Sequence, residues 1–185
     1  MKAVHFFATF LLAGILASFQ CFAAEESKGN SSVTANVGLF SEYAFRGITQ
    51  SDESIALQGG VDYSTDIMQG ASLYLGTWGS TVDFNDGDEA SVEIDLYGGV
   101  SFPIDRMTLS VGLIYYAYPG ADSSLDYDFI ELQMKSLYDF GVASVDASLN
   151  YSPDYFASSG DSLYVQANAA VPLPQDFSVK GHIGY

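Results

Sequence analysis

The segment Ala90-Ser91-Val92-Glu93-Ile94-Asp95-Leu96-Tyr97-Gly98-Gly99-Val100-Ser101-Phe102 decides the fold. Its even positions from Val92 to Phe102 are apolar or glycine, and its odd positions carry Ser91, Glu93, Asp95, Tyr97 and Ser101. A strand turns successive side chains to opposite faces, so this stretch has one greasy face and one wet, acidic face. Eight further stretches repeat the pattern. Repeated behind an export signal, it predicts an all-β protein: an antiparallel up-and-down transmembrane β-barrel with lipid outside and water inside.

The export signal is at the N-terminus. Lys2 supplies a positive charge, Phe6 to Phe19 is an almost unbroken apolar run, and the small residues Cys21, Ala23 and Ala24 precede Glu25 and Glu26. This predicts a secretory signal peptide over residues 1–23, cleaved after Ala23, and a single barrel domain over 24–185. An uncleaved anchor fits the short apolar core less well, and bulky Gln20 argues against lipidation at Cys21. Cleavage removes Cys21, so the remaining chain has no disulfide or thiolate chemistry. It also leaves 5 basic against 23 acidic side chains, a charge of −18. That balance excludes nucleic acid as a partner and suits a cation-attracting interior. No run of 18 apolar residues survives cleavage, which excludes a helical span. The 13 tyrosines of the chain suit interfacial girdles.

Outward from 90–102, alternation predicts nine strands. After a polar lead-in over 25–32, the first runs from Val33 to about Ile48, with Tyr43 and Phe45 on the apolar face and Glu42 and Arg46 opposite. The second, Ile55 to Tyr63, sets Leu57 and Val61 against Gln58 and Asp62. The third, Ala71 to Phe84, is ambiguous, because Tyr74 and Trp78 oppose Leu73 and Leu75. The fifth, Met107 to Tyr118, sets Val111 and Leu113 outward. The sixth, Tyr127 to Phe140, opposes Ile130, Leu132 and Met134 to Glu131, Gln133 and Lys135. The seventh, Val142 to Tyr151, opposes Val145 and Leu149 to Asp146 and Asn150. The eighth, Leu163 to Val171, opposes Val165 to Gln166 and Asn168. The ninth, Phe177 to Tyr185, opposes Val179 and Ile183 to Lys180 and His182. Loops at 49–54, 85–89, 119–126 and 152–162 are long and polar, while the turns between them are mostly tight, as in outer-membrane barrels. Residues 64–70 break that contrast.

The run Glu42-Tyr43-Ala44-Phe45-Arg46-Gly47-Ile48-Thr49-Gln50-Ser51 resembles the TorF-type family of proteobacterial outer-membrane porins, formerly a conserved family of unknown function. Ala56-Leu57-Gln58-Gly59-Gly60, Gly76-Thr77-Trp78-Gly79-Ser80, Glu93 and Asp95 before Tyr97, and Tyr151-Ser152-Pro153-Asp154-Tyr155-Phe156 carry the same resemblance. It implies an outer-membrane barrel acting as a porin, without a defined substrate. Family members continue by several strands past the point matching His182-Ile183-Gly184-Tyr185. Nine strands is also an odd number, whereas single-chain bacterial barrels have an even one. Both point to a C-terminal truncation of a 10–12-stranded barrel, with a miscount near 71–84 as the rival explanation.

No residue set supports an enzyme. His182 is the one histidine after cleavage, too little for a triad or a histidine metal site. Glu93 and Asp95 lie two apart on one face and read as solvated acids rather than a catalytic pair. Asn85-Asp86-Gly87-Asp88-Glu89 has oxygen ligands without the spacing of a calcium loop, so it reads as a polar turn. Arg46 stands out as a base among many acids, suited to pairing with Glu42, Glu93 or Asp95, or to a constriction that screens solutes. The expected lumen lining is therefore Glu42, Arg46, Gln58, Asp62, Glu93, Asp95, Glu131, Gln133, Lys135, Asp146, Asn150, Gln166, Asn168, Lys180 and His182. The expectation is a passive pore for small hydrophilic solutes, cation-preferring, without cofactor or metal, in the outer membrane of a Gram-negative bacterium after Sec-type export. The alternative is a non-conducting barrel with a structural role or loops that bind a partner.

Overall fold

The computed structural model describes residues 19–85, 87, 90–175 and 177–185. Most of the expected signal segment, and the acids of the 85–89 turn, lie outside the described residues. Twelve strands are present: β1 (Phe19–Lys28), β2 (Ser31–Phe40), β3 (Ala44–Phe45), β4 (Ile48–Thr49), β5 (Ala56–Met68), β6 (Ala71–Thr81), β7 (Val92–Ile104), β8 (Met107–Ala117), β9 (Phe129–Asp139), β10 (Ser144–Ser152), β11 (Ser162–Pro172) and β12 (Ser178–Gly184). All but β3 and β4 form one 10-stranded antiparallel sheet, in the order β1-β2-β5-β6-β7-β8-β9-β10-β11-β12. The only helical pieces among the described residues are single 3-10 turns at Ser123–Leu125 and Phe156–Ser158. Among the described residues β1 and β12 are not paired with each other.

The nine strands read from alternation are β2 and β5 to β12, with two corrections of extent and one of placement. The polar lead-in is not a free tail, because Glu25 to Lys28 pair with Thr34 to Ser31 as part of β1. The loop expected at 64–70 is a two-residue turn at Gln69-Gly70, since β5 continues to Met68 and pairs there with Ala71. Gly70, at φ 83°, takes the left-handed conformation that such a turn requires. The first strand ends at Phe40, so Tyr43, Phe45 and Arg46 are not part of the sheet.

The two faces differ as the alternation demands, one apolar and exposed and the other polar and buried. Leu96, Val111, Leu113, Val145, Leu149 and Val165 are exposed on the outer face, Leu96 at 52%. Leu132 shares that face as the cross-strand partner of Leu113, and is half-buried. The inner face buries Gln58, Ser80, Glu93, Asp95, Glu131, Gln133, Ser148 and Asn150, with Glu131 at 0%. The ambiguous strand resolves as β6 with Leu75 exposed outward and Tyr74 and Trp78 inward.

Aromatic rings stacked over glycines fill part of the inner face. The Tyr74 hydroxyl on β6 lies over Gly99 of β7 and Gly112 of β8, and the Tyr97 ring lies over Gly76. A ring covering a glycine restores the contacts that the missing side chain would have made. A Cβ on Gly99 would overlap the Val111 carbonyl oxygen and come within 2.6 Å of the Gly112 Cα. Gly99→Ala is therefore expected to cost about 1–3 kcal/mol, since backbone cannot step aside as a side-chain end can. Gly181→Ala, where nothing lies within 4 Å, is the control. Urea unfolding of the two variants in detergent micelles compares them, and equal midpoints would refute the packing argument.

Candidate functional site: an in-folded hairpin on the acidic inner face

Residues 41–55 leave the sheet after β2 and fold against its inner face from the long-loop end. The cause is local. Ser41 interrupts the apolar row that runs through Val37 and Leu39, and Arg46-Gly47 makes a two-residue turn between β3 and β4. Arg46 and Gly47 have φ of 52° and 85°, the pattern of a type I′ hairpin. Holding a non-glycine residue there costs about 1 kcal/mol, so the contacts of Arg46 must hold it. Polar bonds brace the base of the hairpin: the Gln50 amide donates to the Tyr43 carbonyl at 2.7 Å, the Tyr43 amide to Ser51 Oγ at 2.9 Å, and the Asp83 amide to the Gln50 carbonyl at 2.8 Å.

At the hairpin tip Arg46 meets Glu131 of β9. Nη1 and Nη2 donate to Oε1 and Oε2, each at 2.7 Å, a fork-to-fork pair. Tyr116 adds its hydroxyl to Glu131 Oε2 at 3.2 Å. The guanidinium lies 4.5 Å from the centre of the Phe45 ring and 4.3 Å from that of Tyr164 on β11. Burial works against the charge of Arg46, but the hydrogen bonds and charge of Glu131 outweigh it, and the guanidinium pKa rises above its ordinary value.

Nearer the hairpin base, Tyr43 is 2% exposed, stands edge-on to Trp78 at 5.4 Å, and donates its hydroxyl to Glu93 Oε1 at 2.9 Å. Burial, then the charges of Glu93 and Asp95, raise the Tyr43 pKa well above that of a free phenol, so it stays a donor. Above the hairpin the long loops close with rings. Phe156 stacks on Tyr127 at 4.3 Å, Phe84 meets both edge-on, and Tyr155 packs on Phe129 at 4.6 Å.

The expected lining residues fall into three groups. Arg46 and Glu131 are joined, and Glu93 and Asp95 lie beside them on the buried inner face. Arg46 therefore pairs with Glu131, not with Glu42, Glu93 or Asp95, and it does so from the hairpin rather than from a strand. Glu42 sits half-buried in the same loop. A polar ladder follows on β9 to β12: Gln133 donates to Asn150 at 2.8 Å, Asn168 to Asp146 at 2.8 Å, and His182 Nδ1 lies 2.7 Å from Asn168 Oδ1. Lys135 and Gln166, half-buried, flank Ser148 across the strands. Gln58 is buried on β5, Asp62 accepts from Tyr97 at 2.5 Å, and Lys180 and His182 are exposed on the end strand. Alternation assigns Tyr43 to the apolar outer face, and the structure buries it inside instead. The Ser41 interruption and the Arg46-Gly47 turn are the signals that place it inside. Tyr155 and Tyr164, which frame Arg46, have no sequence signal linking them to it.

Among the described residues no three Asp, Glu, His or Cys side chains gather as a metal cage. No curated relative matches the chain. A family model matches residues 24–185, the whole chain after the expected signal. The protein thus belongs to the family described as "Bacterial protein of unknown function (Gcw_chp)".

Proposed function

We infer that this protein spans the outer membrane as a β-barrel and passes small hydrophilic solutes, with a preference for cations, along an interior narrowed by the 41–55 hairpin. The observation that carries this reading is the inverted burial: exposed aliphatic side chains along the strands outside and buried Glu93, Asp95, Glu131, Gln133 and Asn150 inside. Aliphatic surface of that extent is costly in water and favourable in hydrocarbon. The short turns at one end of the sheet and long loops at the other, and the resemblance to TorF-type porins, support the same reading.

The charge balance supports the cation preference. Asp62, Glu93, Asp95 and Asp146 lie on the inner strand positions against Lys135 and Lys180, while Arg46 and Glu131 neutralise each other. Carboxylates lining a narrow path raise the local cation concentration, an effect that salt screens. Reversal potentials in planar bilayers under a salt gradient test this: the expected result is cation preference that shrinks as salt rises, and anion preference at low salt would refute it. One observation favours the second reading, a barrel that does not conduct: the hairpin tip is latched across the interior by the Arg46–Glu131 pair. Absence of current from correctly inserted protein would select it.

A further inference from the structure

Among the described residues the buried polar atoms of the inner face are largely answered, and the exceptions are adjacent. Glu93 and Asp95, at 1% and 5% exposure, each keep one oxygen, Oε2 and Oδ1, without a hydrogen-bond partner. The other oxygen of Glu93 accepts from Tyr43. The guanidinium nearby offers no help, because both of its terminal nitrogens are committed to Glu131. Glu93 and Asp95 thus face each other within hydrogen-bonding reach on one face of β7, with two oxygens that no other group answers and, among the described residues, no ion pair, an arrangement that is unfavourable for two buried ionised groups. Trp78 and Tyr116 flank Asp95 across the strands, and Ser80, itself buried, stands across from Glu93.

We propose that Glu93 and Asp95 form a transit site for a divalent inorganic cation, calcium being the probe, beneath Tyr43 of the hairpin; the proposal rests on the reading of this interior as a solute path. A divalent ion cancels both charges and accepts the orphaned oxygens as hard ligands. The Tyr43 phenol and Ser80 hydroxyl add neutral oxygens, and retained water completes the shell. Two carboxylates make a weaker site than the three or more of a resident metal centre, which suits an ion that must leave again. Tyr43 covers the pair, so its side chain is the gate through which the ion enters.

Terbium, a luminescent substitute for calcium excited by nearby tyrosine and tryptophan, tests the site on the full chain in detergent micelles. The expected result is saturable emission, displaced by calcium, whose apparent affinity falls at least about tenfold in Glu93→Gln and in Asp95→Asn, the equivalent of about 1.4 kcal/mol. Asp122→Asn and Asp126→Asn, in an exposed loop, should leave it unchanged. Emission that persists in Glu93→Gln Asp95→Asn puts the ion on the loops and overturns the proposal. No emission from folded wild-type protein also overturns it, leaving a proton shared between the carboxyls to answer the two oxygens. Because a variant can fail to fold, the wild type supplies a second measurement: calcium should raise its thermal midpoint, and no rise counts against the site. Cation-selective current without a terbium site removes this proposal and keeps the pore. A terbium site without current keeps the site and removes the pore.

Discussion

Replacing Arg46 with methionine is expected to destabilise the folded protein by about 3–5 kcal/mol, the largest loss of any single substitution on the inner face. Glu131 is fully buried and takes both terminal nitrogens of Arg46 at 2.7 Å. Methionine fills much of the same volume between Phe45 and Tyr164 but leaves the carboxylate with only the Tyr116 hydroxyl at 3.2 Å. The hairpin would also lose the contact that holds its tip in a left-handed turn. Urea unfolding in detergent micelles measures the loss. The double variant Arg46→Met Glu131→Gln should recover most of it, because the buried charge is then gone as well. A loss under about 1 kcal/mol would place the pair with ordinary exposed ion pairs and remove the hairpin's claim to be latched. In the same variant, current through planar bilayers should rise, since the tip is freed from β9.

The second large effect lies on the other face. Leu96→Arg is expected to cost about 2–4 kcal/mol in folding titrations with lipid vesicles, the cost of a guanidinium on the lipid-facing side of a barrel. Leu96 is 52% exposed and points outward from β7 between the buried Asp95 and half-buried Tyr97. The matched control is Asn36→Arg, an exposed position whose side chain lies on the inner face of β2. Asp95 does not serve as that control, because it is itself buried. A larger loss at 36 than at 96 would mean that the faces are reversed, and equal losses would mean that lipid does not distinguish them. No loss at 96 would mean that this face meets water, where a leucine-to-arginine change on an exposed strand is mild.

Alternation alone established the all-β class, the nine strand positions from Val33 onward, and the side of the sheet taken by each of Val92 to Phe102. It does so because a period of two ties each side chain to a face through its immediate neighbours, with no knowledge of distant residues. Where that pattern was broken, the reading failed for a reason visible in the residues. Tyr43 and Phe45 continue the odd-numbered apolar row beyond Ser41, so counting alone carried them outward. A turn at Arg46-Gly47 and a buried acid waiting on β9 carry them inward. The tight turn at Gln69-Gly70 was missed because Ser64, Thr65 and Asp66 look like loop residues, although on the inner and outer rows of β5 they pair with Tyr74, Leu73 and Ser72.

What the amino-acid sequence determined by itself is therefore the sheet, its two opposed faces and the acidic character of the inner one. What only the tertiary structure decided is which of those acids is paired. Arg46 and Glu131 are 85 residues apart, and Tyr43 and Glu93 are 50 apart. Contacts at that separation depend on how far the sheet curls and how deep a loop can reach. Neither quantity is written in any local pattern, so the latch at Glu131 and the two orphaned oxygens at Glu93 and Asp95 emerge only when the strands are brought together.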